Sequence, residues 1–142
     1  MLQALYAWDV RRGGRPGERI DRVGDGEGAA ELPRVAAQVW DDLSVAPGER
    51  RLAARLVDTV AQHMPDLDRE LSAATTNWRL DRLGVIERSI LRLAAAELAW
   101  EATPPRVVIH EAVRLAERYG SLESARFVNG VLDAVGRRAG RL

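Results

Sequence analysis

Residues 83–100 read LGVIERSILRLAAAELAW, and this stretch decides the fold. Ile86, Ile90, Leu91, Leu93, Ala94, Ala95 and Leu98 recur at helical spacing and cover more than one face of a helix. A helix that is apolar on several sides has to be packed on several sides, so 83–100 predicts the central helix of a bundle.

The segments on either side follow the same period. Downstream, Pro104-Pro105 breaks the chain and starts a helix with Val108, Ile109, Ala112, Val113 and Ala116 inward and Gly120 as its stop. A last helix begins near Ser121 or Leu122 and is expected to bury Phe127, Val128, Val131, Leu132 and Val135. Upstream, Pro47 opens a helix striped by Leu52, Leu56, Val57, Val60 and Met64. Pro65 is expected to end it, because proline lacks the N–H and clashes one turn back. A short helix then turns Leu67 and Leu71 inward, with Asp66, Asp68 and Glu70 as solvated acids favoured in its first turn by the helix dipole.

Further towards the start, Pro33 suits a first turn, and Leu32, Val35, Ala36, Val39, Trp40 and Leu43 share a face. Arg11 to Ala30 holds six of the twelve glycines and many charges, and 13–30 reads as a flexible Gly-rich loop. Leu2, Leu5 and Tyr6 stripe a first helix. With no convincing period-two strand, the expectation is an all-α protein, a compact bundle of about seven helices in one domain spanning 1–142.

Composition narrows the function classes. The chain has no cysteine, which removes disulfides, thiol catalysis and thiolate metal sites. No apolar run approaches the ~20 residues of a membrane span, and the expectation is a soluble cytoplasmic protein with no membrane partner. Twenty-one basic residues, all arginine, balance twenty-one acids. Residues 1–22 hold five arginines against three acids, 23–105 nine against fourteen, and 106–142 seven against four. Basic ends around an acidic centre would make one basic face if the ends meet in space.

Reactive constellations are missing. His63 and His110 are the only histidines, too few for a metal site, and no serine lies in a G-x-S-x-G motif. Gly24-Asp25-Gly26-Glu27-Gly28 lacks a phosphate-loop lysine and carries acids that repel phosphate. No enzyme, metal or cofactor is expected. Four tryptophans stand out. Trp40 fits a core stripe, while Trp78 and Trp100 flank the central helix, with core packing expected over a binding role.

Gly130 sits inside a helix, where glycine costs about 1 kcal/mol relative to alanine, which suggests a close approach of another backbone or a partner. Arg126 beside Phe127, supported by Arg114 and Arg118, reads either as a phosphate contact with an aromatic for a base or as a solvated charge.

Three blocks carry a resemblance: LQALYAW at 2–8, LGVIERSILRLA at 83–94 continuing to Glu97-Leu98, and PRVVIHEAV at 105–113 followed by Tyr119-Gly120 and FVNGVLD at 127–133. In this order they resemble the NusB family of bacterial transcription antitermination factors. The resemblance implies a seven-helix protein without catalysis. It would pair with the small-subunit ribosomal protein NusE, bind boxA RNA of ribosomal RNA transcripts and join the RNA polymerase antitermination complex. It also implies that Tyr6, Asp81 and Glu87 face NusE and that Gln3, Arg126 and Phe127 lie on the RNA side. Arg118 is placed with them, and Glu123 matches an acidic position beside them.

Two departures from the family pattern bear on this. NusB-family proteins carry an arginine-rich segment ahead of the first block, whereas Met1 directly precedes Leu2 here. Either the true start lies further upstream, or RNA binding here depends on other arginines such as Arg11, Arg12 and Arg15. The expectation is that a version extended upstream binds RNA more tightly and with a steeper salt dependence. His110 stands where the family more often has asparagine. The competing readings are the NusB-like domain of an rRNA cytosine methyltransferase and a helical homodimer that does not bind RNA. The first would need a cofactor-binding strand–glycine loop–helix, and none lies within these 142 residues.

Overall fold

The computed structural model describes residues 32–34, 37, 47–75 and 84–142. The expected first helix, the Gly-rich loop and residues Gln3, Tyr6, Trp8, Trp40, Trp78 and Asp81 lie outside them. The described residues are helical without a strand: α1 (Pro47–Ala74), α2 (Val85–Trp100), α3 (Pro105–Tyr119) and α4 (Leu122–Arg138). Leu32, Pro33, Arg34 and Ala37 are helical as well.

Two helices meet near Pro65, as expected, joined across a kink and not by a loop. The hydrogen-bonded turns continue from Pro47 to Ala74, and the chain bends at His63, whose φ of −116° and ψ of 15° leave the helical region. The missing N–H and the crowding of the carbonyl one turn back are relieved by that bend. Proline then sits in the opening turn of the second arm, where its missing donor costs least. The described residues thus form five straight helical segments besides the piece around Leu32.

As the all-round apolar pattern required, α2 is central and packs against α1, α3 and α4, while α3 runs along α4. Ile90, Leu91 and Leu98 of α2 meet Leu71 of α1 and Val128, Val131 and Leu132 of α4 in one fully buried core. Each such side chain contributes roughly 1.5–3 kcal/mol on burial. Val108, Ala112 and Ala116 are buried as expected, whereas Ile109 and Val113 are only partly so.

Local chemistry sets the ends. Gly120 terminates α3, its N–H donating to the Ala116 carbonyl at 2.9 Å. Ser121 caps α4, accepting from the Ser124 N–H at 3.1 Å. At the far end of α4, Gly140 adopts a φ of 70°, and the N–H groups of Gly140 and Arg141 donate to the carbonyls of Arg137 and Gly136. This is the paired reverse turn that glycine makes possible after a helix. It delivers Arg141 to the C-terminus of α2, where the guanidinium donates to the carbonyls of Leu98, Glu101 and Thr103. That helix has no basic residue in its own last turn, so Arg141 supplies the missing cation.

Three further expectations are corrected. Asp68 is buried, not solvated: both its carboxylate oxygens accept from Arg92 of α2, each at 2.9 Å. Trp100 is 46% exposed, because it is the last residue of α2. Its ring stacks on His63 at the α1 bend with centroids 4.1 Å apart. Phe127 is half-buried at the edge of the core.

Candidate nucleic-acid and protein interface

The turn joining α3 to α4 gathers the residues of interest. Ser121 fixes the first turn of α4, and one turn further on Arg126 projects into solvent beside half-buried Phe127. Arg118, in the last turn of α3, is exposed, with its guanidinium carbon 5.2 Å from the centre of the Tyr119 ring. Arg114, one turn earlier, is exposed too. Arg114 and Arg126 are in no ion pair among the described residues, which leaves both for an anionic ligand.

Glu87 meets this turn from the side. It lies half-buried in the first turn of α2, where its Oε1 accepts a 2.6 Å hydrogen bond from Ser124 Oγ. The Ser124 hydroxyl in turn accepts from the Ser121 hydroxyl at 3.2 Å. Arg118, Arg126, Phe127 and Glu87 therefore lie at one end of the bundle. Gln3, Tyr6 and Asp81 lie outside the described residues, as does one of the two basic ends.

The regional charge sum overstates the basic end. Of the seven arginines in 106–142, Arg137 pairs with Asp133, Arg138 with Glu70, and Arg141 holds the end of α2. That leaves Arg106, Arg114, Arg118 and Arg126 exposed, with no ion pair among the described residues. In the acidic centre, Asp68 pairs with Arg92 and Glu101 with Arg55 at 2.9 Å, pairs internal to the segment that leave its net charge unchanged.

Sequence reasoning missed buried Arg88 and Arg92. The signal was present: they stand four positions apart in a helix apolar on several sides, which leaves little solvent-facing surface for a charge.

Away from this turn, burial raises the Glu97 carboxyl above its ordinary range, and the charges of Glu101 and Glu111 add to the effect against a Thr103 hydrogen bond. Among the described residues no cluster of three or more His, Asp or Glu side chains is arranged to hold a metal. None of the described helices is long and apolar enough to cross a membrane. Gly130 is half-buried and His110 exposed.

Comparison with known proteins agrees with this architecture. A model described as "NusB family" matches residues 1–137. The transcription antitermination protein NusB of Anaeromyxobacter dehalogenans is 47% identical over 137 residues, 94% of this chain and 83% of that protein. That of Sorangium cellulosum is 43% identical over 116 residues, 81% of this chain and 83% of that one. In a crystal structure of antitermination factors NusB and NusE in complex with dsRNA, one chain superposes with a TM-score of 0.75 at 28% identity. The match covers 96% of this chain and 90% of that one.

Proposed function

The chain belongs to the NusB family, and on that premise we propose that it is a transcription antitermination factor that pairs with NusE and binds boxA RNA of ribosomal RNA transcripts. It works in the cytoplasm as part of the RNA polymerase antitermination complex. Its role is docking, with no bond made or broken. The family match from residue 1 to residue 137 carries this reading, and the arginines around the α3–α4 turn support it.

Gln3, Arg118, Arg126 and Phe127 face the RNA. The arginines neutralise phosphates, and each contact releases counterions, so binding weakens as salt rises. Tyr6, Asp81 and Glu87 face NusE, with the carboxylates opposite a cationic protein, where complementary charge favours encounter and register. Glu87 joins the two surfaces through its bond to Ser124.

The test is a salt titration of boxA RNA binding in the presence of NusE, comparing the wild type with Arg126→Ala. The variant should lose RNA affinity and reduce the log–log salt slope by about one, with helicity and NusE affinity unchanged. A parallel fall in NusE affinity would show that the RNA surface is misplaced. A chain that dimerises, ignores NusE and binds no RNA would replace this reading with the homodimer.

A further inference from the structure

The two arms of α1 meet at His63, and the imidazole there lies flat on the indole of Trp100. The ring centroids are 4.1 Å apart and the planes are inclined by only 19°. His63 is half-buried, and Trp100, the last residue of α2, stands partly in water. The pair thus ties the bend of one helix to the end of another, where water and protons have access. It lies at the opposite end of α2 from Glu87.

Two neutral rings stacked in this way attract through dispersion and apolar contact. Imidazole takes up a proton between pH 8 and pH 5. An imidazolium over the face of an indole is then a cation on the aromatic ring that binds cations best. A positive charge is also favoured at the C-terminal end of a helix, which is where Trp100 holds this ring.

The surrounding charges admit it. Among the described residues, Asp66 lies three positions on in α1 and is held by Arg69, and Glu101 of α2 is held by Arg55 of α1. Glu97 of α2 is half-buried and feels the charge of Glu111 from α3. From beyond α4, Arg141 is engaged by the carbonyls of Leu98, Glu101 and Thr103. These are four carboxylates against three guanidiniums, a setting with room for one more cation.

We propose that His63 and Trp100 form a pH-responsive clamp, in which protonated His63 grips the indole and pins the bend of α1 to the end of α2. The extra grip is complete where the imidazolium is formed and fades as pH rises through the imidazole range, about pH 6–7. The clamp does not depend on the antitermination reading.

The test is a double-mutant cycle on the full chain, followed by urea unfolding at about pH 5.5 and about pH 8. It compares the wild type with His63→Gln, which cannot be protonated, with Trp100→Leu, and with the two combined. All four proteins keep Glu97, so its own titration cancels in the cycle. The coupling between the rings should be about two- to fivefold larger, as a ratio of folding equilibrium constants, at the lower pH. The tryptophan emission of the wild type should also change across the imidazole range, and that change should be missing in His63→Gln. Equal coupling at the two pH values, or an emission change that survives in His63→Gln, would overturn the clamp. Zero coupling at both would overturn it as well, since the rings would then not hold each other in solution.

Discussion

Ser124 donates its hydroxyl to Glu87 across 37 positions of sequence, with Oγ and Oε1 2.6 Å apart. The bond ties the first turn of α4 to the first turn of α2, and Ser124 is also the residue whose N–H the Ser121 cap engages. A hydrogen bond to a charged, half-buried acceptor contributes about 1.5–3 kcal/mol. Ser124→Ala should therefore lower stability by about 1–2 kcal/mol, seen as a lower urea midpoint with an unchanged m-value. An unchanged midpoint would mean that the bond is replaced by solvent at no cost.

The same joint depends on backbone without side chains. A Cβ on Gly120 would lie 2.9 Å from the Ala116 carbonyl oxygen and 2.9 Å from Ser124 Oγ, whereas one on Gly84 would meet Glu87 Oε2 at 2.6 Å. The carboxylate end can swing aside; the carbonyl of α3 cannot. Gly120→Ala should cost about 1–3 kcal/mol and Gly84→Ala less. Denaturant midpoints in the opposite order would refute this.

The Asp68–Arg92 pair bridges α1 and α2 inside the core with two parallel bonds of 2.9 Å. Removing one partner takes two hydrogen bonds and an opposite charge from a buried ionic side chain, at a cost of up to about 3–5 kcal/mol. Asp68→Ala and Arg92→Ala should each approach that loss. The double replacement Asp68→Leu with Arg92→Met should recover part of it, because two apolar side chains need no mutual compensation. Double-mutant losses equal to the sum of the singles would exclude this coupling.

Glu97 introduces a pH dependence. Burial, reinforced by Glu101 and Glu111, raises its folded-state pKa above the ordinary value of 4.5. The folded chain then holds its proton more tightly than the unfolded chain does. Stability is fully retained below the ordinary value and falls as pH rises through the interval up to the raised one. Glu97→Gln, which keeps the shape without the charge, should melt higher than the wild type at pH 7. That advantage should vanish near pH 3, and thermal melts at the two values test it. A gap of the same size at both would refute the electrostatic cause.

Residues 83–100 were enough to recognise the central helix, and Pro105, Gly120 and Ser121 marked the helix ends where the structure has them. Periodicity, capping and proline sterics act within a turn or two of chain, so the sequence by itself determined the helical character of these segments and the faces they bury. It also marked Arg118, Arg126, Phe127 and Glu87 as residues to watch, through the family resemblance of the blocks around them. It could not place a charge. Asp68 has the same local surroundings as exposed Asp66, yet Asp68 is buried and Asp66 is not, because Arg92 arrives 24 positions later from another helix. Nor did it show that Trp100 would end up on His63 in water, or that Arg141 would close the end of α2. Only the tertiary structure decided those, because the energy of a charge or an aromatic ring depends on which distant atoms replace the water around it.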